Sequence, residues 1–432
     1  MEPMGSEQAA EAALRLLAIS WAMPPLLAPR ALQVPRLLSA LSDAGWQVTV
    51  LHADEEFADR GFPRDSEPGG VLGERYHSVQ VGLPRPLGRL GLYRLLRRFR
   101  LDETLWERLA ALEAGRRLRR TDFDVMLTFA QPWSDHRIGL RIRRRRPIPW
   151  VAHFSDPWVD NPFLTERERQ RLPEQRRQEE AVIRLADAVV FTTDYTRELV
   201  MRKYPAAWRE KTFVVPHAFD PDLAASIPKA ASGARLRLVY AGNFYGGRTP
   251  VPLLEALAEL NRSRPLREEL EVLFVGAGNE RYARMAAQWG LGEIAQFRPS
   301  VSFLESLRLA AQADVLLVID APSAEASVFL PSKLIDYLMF AKPILGITPL
   351  RGASAGLLGE LGCPVVAPED IAGIRRELVE LIERRKAGRL GVSPAFRSVA
   401  ARFEIQRVSR EFDAILRGAA KRGRTGRREA LS

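Results

Sequence analysis

Apolar runs that read as strands alternate with segments of helical period along nearly the whole chain, and that alternation admits few folds. Strand, helix and strand in succession form the unit of a parallel sheet covered by helices on both faces. In the first half, strands are expected at Arg15–Ser20, Trp46–His52, Tyr76–Val81, Val125–Phe129, Trp150–Phe154, Ala188–Thr192 and Thr212–Pro216. Between the first two lies Val34–Ala44, an amphipathic helix ending at Gly45, which is free to form a left-handed C-cap. Leu87–Arg120 is helical and arginine-rich, with Leu92, Leu95, Leu96, Leu105, Leu109 and Leu112 on one side.

Pro221, Pro228, Ser232 and Gly233 then interrupt the pattern, so Asp220–Gly233 reads as a linker. The alternation restarts with strands at Arg237–Ala241, Glu271–Val275, Ile294–Phe297, Asp314–Ile319, Pro343–Ile347 and Pro364–Val366. Helices are expected at Pro252–Asn261, Arg281–Trp289, Phe303–Gln312, Ser332–Phe340 and Ile371–Arg385, the third opened by a Ser302/Glu305 capping box. The expected fold class is α/β, with two Rossmann-like, doubly wound domains over residues 14–220 and 234–395. An amphipathic helix, 396–416, is free to pack back on the first domain, and the basic tail 417–432 is expected to be disordered. Ligands of such sheets bind beyond the strand carboxyl ends, so both domains would offer loops to one cleft.

With 432 residues, 46% of them hydrophobic, the chain can bury two cores. No apolar run approaches the length of about 18 residues that a spanning helix needs. Met1–Ala13 lacks the apolar centre of a signal peptide. Cys363 is the only cysteine, which excludes an internal disulfide and a zinc–cysteine cluster. The simplest location is a bacterial-type cytoplasm. The net charge of +11 is concentrated in arginine clusters at 94–100, 116–120, 141–146, 167–177 and in the tail. Such clusters could meet nucleic acid, anionic lipid or phosphorylated substrates, or could be solvated faces of an arginine-rich protein. They carry few interleaved aromatics, so nucleic acid is not an expected partner.

Candidate chemistry is richest in Leu330–Gly346, a short helix running into a buried strand. Lys333 falls in that helix's first turn, where a cation opposes the helix dipole by about 0.3–1 kcal/mol unless an anion joins it. Asp336 follows at i+3, so a phosphate-binding cation and a hydroxyl-binding carboxylate would stand together, as a nucleotide-sugar requires. The same two residues could equally be a solvated surface pair. Gly242–Thr249, with Gly246, Gly247 and Arg248, lies between a strand and a helix and could cradle a diphosphate. Gly276 and Gly278 repeat that placement and could line a base or simply make a tight turn. His153 and Asp156 close a buried strand and are the candidate catalytic pair, His153 otherwise being structural. His217 has weaker support for the same reasons. Asp122/Asp124 and Asp220/Asp222 have the spacing of metal ligands but lie before a strand and in the linker, so no metal is assigned.

Together these pieces resemble the family-4 retaining glycosyltransferases of the GT-B fold, closest to bacterial members acting on cell-surface polysaccharides. The likeness runs from about Leu16 to Arg410. It comprises Pro24-Pro25, Ala44-Gly45-Trp46 before Val48-Thr49-Val50, Ala186–Val190, Val215–Asp220, Tyr240-Ala241-Gly242, Phe274–Gly278, Ala313-Asp314-Val315 and Pro331–Gly346, in family order. The resemblance implies transfer of a sugar from a nucleoside diphosphate to a glycan or lipid-linked acceptor, with retention and without metal. Arg248, Lys333 and the helix start at Ser332 would hold the diphosphate, Asp336 the ribose, and His153 would lie near the donor sugar. Leu26-Leu27-Ala28 replaces the family's glycine pair, Val328 its first glutamate, with Glu325 nearby, and Asp336 its second. An anionic membrane surface is a further candidate partner if the acceptor is lipid-linked, which would place the protein at the inner face. A GT-B nucleotide-sugar epimerase is the rival reading, and a basic nucleic-acid-binding protein the more distant one.

Overall fold

The computed structural model describes residues 13–55, 64–65, 73, 75–83, 92–98, 101–228 and 233–429. Every expected strand is present. The first seven are β1 (Arg15–Ile19), β2 (Gln47–Ala53), β3 (His77–Val81), β4 (Val125–Ala130), β5 (Trp150–Phe154), β6 (Ala188–Phe191) and β7 (Thr212–Val214). They form one parallel sheet in the order β3-β2-β1-β4-β5-β6-β7. The second sheet, also parallel, has the order β10-β9-β8-β11-β12-β13. Its strands are β8 (Leu236–Ala241), β9 (Leu270–Val275), β10 (Ala295–Arg298), β11 (Val315–Ile319), β12 (Ile344–Ile347) and β13 (Val365–Val366).

The strand order reverses between β1 and β4 in one sheet and between β8 and β11 in the other. Loops leaving neighbouring strands diverge at such points, which opens a crevice. Both faces of each sheet are covered, as uniformly apolar strands such as β4, β5 and β11 require. Trp106, Ile138 and Val182 cover one face of the first sheet. Leu37 and Leu38 cover the other, joined by Val408, Phe412 and Leu416 from the far end of the chain. Leu254, Leu257, Leu378 and Leu381 cover one face of the second sheet, and Leu309, Leu334, Leu358 and Phe396 the other.

Several boundaries depart from expectation. The first helix runs Pro29–Asp43, five residues longer at its start than the apolar period shows, because Pro29 sits where a missing N–H costs nothing. Gly45 does take a positive φ, 93°, just past its end. The arginine-rich segment forms two helices, Leu92–Arg98 and Asp102–Arg120, while 84–91 and 99–100 lie outside the described residues. Trp106, Ala110 and Ala114 pack the longer of these on the first sheet, leaving Leu95, Leu101 and Leu112 exposed. The helices Ser134–Arg143, Leu172–Leu185, Asp194–Met201 and Ala353–Glu360 are additional to those read from the sequence.

The chain's end is the largest correction. The expected helix 396–416 divides into Phe396–Ala400 and a separate helix, Ile405–Glu429, which continues through the segment expected to be disordered. Burial of Ile405, Val408, Phe412, Ile415 and Leu416 contributes about 1.5–3 kcal/mol each. Asp413 adds bonds to Trp46 Nε1 (2.6 Å) and Arg417 Nε (2.8 Å). Helix so firmly seated carries the basic residues after it, and Arg422 still reaches the Asp187 carbonyl at 3.3 Å.

Two segments cross between the halves, one at Phe219 and one at Phe403–Ile405. They run side by side, with Phe219 N–H donating to the Phe403 carbonyl and Ile405 N–H to the Phe219 carbonyl, both at 2.9 Å. Asp220 caps a short helix, Pro221–Ser226, by accepting the Asp222 N–H. Asp124 accepts the Arg15 N–H at 2.8 Å and ties β4 to β1. No helix among the described residues is long and apolar enough to cross a membrane.

Candidate active site

The second sheet's crevice is built from glycine. Gly242 follows β8 and Gly276 follows β9, and their backbones approach so closely that a Cβ on Gly276 would lie 2.4 Å from the Gly242 carbonyl oxygen. Asn243 fastens the two loops by accepting the Ala277 N–H at 2.7 Å. Gly246 and Gly247 have φ of 59° and 85°, a left-handed turn that other residues resist, and this turn delivers Arg248 into the crevice. The Arg248 guanidinium lies over the Tyr245 ring (4.9 Å) and 3.4 Å from Asp320, the first residue beyond β11.

Lys333 meets this group from the helix Ser332–Leu338. Its ammonium is buried without a hydrogen-bond partner, 3.8 Å above the Tyr240 ring. A Cβ on Gly242 would lie 2.0 Å from Lys333 Nζ, so the absent side chain there makes room for the lysine. Burial and the neighbouring Arg248 push the Lys333 pKa well below the ordinary lysine range, and Asp320 opposes them. Arg248, Lys333 and Asp320 therefore form a buried cluster of two cations and one carboxylate at the sheet's reversal point.

The structure gives Asp336 a partner that the sequence did not suggest. Its Oδ1 accepts from Arg36 Nη1 at 3.0 Å, and Arg36 belongs to the helix Pro29–Asp43 of the other half. Arg36 also donates to the Ala218 carbonyl. Burial raises the Asp336 carboxyl while Arg36 holds it down. Other contacts close the same seam. Thr193 and Thr196 both donate to the Val328 carbonyl at 3.2 Å, and Phe163 stacks on Phe329 at 5.2 Å. Glu325 is exposed on the loop before the helix, outside the buried cluster, and Ser332 is half-buried at the helix start. Gly278 takes φ 72° with open space around it.

Across the crevice, His153 ends β5 and Asp156 follows it closely. Arg30, from the first turn of the helix Pro29–Asp43, organises them. Its Nη1 lies 3.4 Å from His153 Nδ1, and its Nη2 donates to the Ser155 hydroxyl, which donates in turn to the Ala130 carbonyl. An arginine only donates, so Nδ1 accepts and the neutral imidazole keeps its proton on Nε2. Burial, then Arg30, His217 and His136, hold His153 well below the usual histidine range. His217 stands 6.1 Å from it ring to ring, and together they line a small cavity with Phe129 and Phe412. Burial raises Asp156, against the charges of Arg30 and Arg248. Among the described residues, no group of His, Cys, Asp or Glu is placed to hold a metal.

Sequence reasoning did not single out Arg30, Arg36 or Asp320. Arg30 carried a signal in its position after Pro29 at the start of the helix that follows β1. Asp320 carried another, as a charge directly abutting the apolar run Val315–Ile319.

Residues 31–218 match the family described as a glycosyl transferase 4-like domain. No curated protein matches the chain in sequence. Among solved structures, it is similar to a sucrose-phosphate synthase from Thermosynechococcus elongatus, with TM-score 0.65 and 16% identity over 94% of this chain and 98% of that one. It is similar also to a lipopolysaccharide outer core galactosyltransferase, with TM-score 0.57 and 13% identity over 94% and 99%. A structure described as a putative UDP-N-acetylglucosamine 2-epimerase from Listeria monocytogenes gives TM-score 0.59 and 13% identity over 94% and 96%. At these identities the likenesses show the shared fold.

Proposed function

We propose that the chain is a retaining glycosyltransferase using a nucleoside-diphosphate sugar, a reading supported by the match of residues 31–218 to a glycosyl transferase 4-like domain and by the GT-B architecture. The observation that carries this reading is the buried ammonium of Lys333, without a hydrogen-bond partner, beside Arg248. Burial and Arg248 disfavour the charged form of Lys333, and an arriving diphosphate would offset both while accepting hydrogen bonds from the two side chains at once. The missing Cβ atoms at Gly242 and Gly276 let Lys333 and the two glycine turns draw close together at this point.

In the proposed reaction the bond between the anomeric carbon and the diphosphate oxygen breaks. The acceptor hydroxyl oxygen bonds to that carbon from the same face, and its proton passes to the departing diphosphate. Charge gathers on the diphosphate, where Arg248 and Lys333 meet it in a site closed from water, so the reading assigns no metal. His153, with its proton on Nε2, would donate to a sugar hydroxyl, and Asp156 would accept from one. Gly276 and Gly278 would border the base. Asp336 would reach the ribose only by sharing or leaving Arg36.

The acceptor would be a glycan or a lipid-linked glycan entering from the first half, in bacterial cell-surface polysaccharide synthesis. Exposed Leu95, Leu101 and Leu112 on the arginine-rich helices support a peripheral seat on an anionic membrane surface at the cytoplasmic face. The epimerase reading lacks an acid–base pair around the cation cluster, where Asp320 is the only carboxylate in contact with Arg248 among the described residues.

Calorimetric titration with UDP, GDP and ADP, with and without EDTA, tests the donor site. One diphosphate is expected to bind in the micromolar range regardless of EDTA, and Lys333→Ala to weaken it at least tenfold. Equal binding by the variant, or no binding by the wild type, would remove the site.

A further inference from the structure

Asp320 is an unusual neighbour for a diphosphate. It is 3% exposed, lies directly beyond β11, and stands 3.4 Å from the guanidinium nitrogen nearest to it. Its backbone is fixed, since its N–H donates to the Ile347 carbonyl at 3.0 Å. Apart from the Ser354 hydroxyl, no hydrogen-bond donor serves its carboxylate among the described residues. The ionisable groups facing it are Arg248 from the turn after β8, Lys333 from the helix Ser332–Leu338 and Tyr240 from β8, with the Ser354 hydroxyl on the remaining side. Arg248 is therefore already paired with an internal anion, whose charge also acts on Lys333.

We propose that Asp320 is an exchangeable counter-ion, which neutralises Arg248 and Lys333 in the empty enzyme and competes with the diphosphate for them. The proposal rests on the donor-site reading above and adds a direction to it. Two cations alone would repel one another in a buried site, and a carboxylate close to Arg248 whose charge reaches Lys333 offsets that repulsion. Once a diphosphate arrives, the carboxylate becomes a like charge a few ångströms from the ligand, and it weakens what the cations gain. The same competition hastens departure of the nucleoside diphosphate after transfer, a step that often limits enzymes that close over their product. Burial already favours the protonated carboxyl, against the pull of Arg248. Loss of the cations to a ligand shifts it further that way, so acid removes the competitor.

The experiment is titration of UDP, GDP and ADP into wild type, Asp320→Asn and Asp320→Ala, with folding of each checked by thermal melting. Both variants should bind the preferred diphosphate about tenfold more tightly, as expected when a like charge near the ligand is removed. The ratio of variant to wild-type affinity should shrink as the pH is lowered, since protonation of Asp320 then does in the wild type what the substitution does in the variant. The diphosphate's own titration cancels in that ratio. Weaker or unchanged binding by Asp320→Asn, beside normal wild-type binding, would overturn this proposal and leave the donor site standing. A constant ratio across pH would overturn it as well. Absence of binding by the wild type would remove the donor-site reading, and this proposal with it.

Discussion

Arg36 and Asp336 form the one contact in which the two halves share a buried charge pair among the described ion pairs, and its rupture should be expensive. The side chains are 3% and 10% exposed, with 3.0 Å between Nη1 and Oδ1. At that distance, with an effective dielectric constant of about 20, the attraction is about 5 kcal/mol, and desolvation of both charges cancels much of it. Removing one partner forfeits the attraction while leaving the other charge buried. Arg36→Met should therefore cost about 3–5 kcal/mol of stability. Asp336→Asn should cost less, about 1–3 kcal/mol, because Arg36 keeps the Ala218 carbonyl. Arg36→Met combined with Asp336→Leu should recover to within about 2 kcal/mol of the wild type, with a coupling of at least 2 kcal/mol. Urea unfolding followed by tryptophan fluorescence measures these proteins together with Asp336→Leu, the single variant that closes the cycle. A cost below about 1 kcal/mol for Arg36→Met, with no coupling, would refute the reasoning. It would mean that the pair is solvated and the seam open in solution.

Further outcomes follow from the glycines and the histidines. Gly242→Ala places a Cβ on the Lys333 ammonium and should weaken diphosphate binding at least tenfold, with a further cost of about 1 kcal/mol in stability because φ there is 156°. Gly276→Ala meets the Gly242 carbonyl instead, a backbone atom that cannot swing aside, and should lower stability by about 1–3 kcal/mol in a urea titration. His136 is pushed down to about 3, first by burial and then by Arg30 and Arg137. Its folded form is neutral while the unfolded chain takes protons near 6.5. Stability from this group is therefore complete above about 6.5 and falls towards pH 3 by about 1.4 kcal/mol per unit. His136→Phe should remove that slope. Asp135, raised by burial to about 7, contributes the opposite slope in both proteins, so their difference is the quantity to read.

The fold was legible because it is written in period and burial. Leu316, Leu317 and Val318 must lie in a strand covered on both faces, and the thirteen strands differ from expectation only at their ends. Lys333 was legible for the opposite reason, as a cation where the helix dipole and apolar neighbours discourage one. Asp320 was not, since a single acidic residue ending a strand is common and its meaning comes from Arg248 on another loop. Arg36 was less legible still, because its partner is 300 residues away and nothing local marks the pairing. The helix after Ile405 was misjudged beyond Leu416 because composition reports how a segment would behave alone. Its helicity comes from an apolar seat on Val34, Leu37 and Leu38.

That seat has a consequence for how the protein is made. The chain supplies Leu16 and Val50 early and Phe412 and Leu416 last, yet all belong to one cluster. During synthesis the second half can assemble its whole sheet while the first still lacks one of its covering helices. An apolar groove thus stays open on the nascent polypeptide until residue 420 has left the ribosome. The half made first is the half finished last, and truncation at the end of the chain strikes the core nearest its beginning.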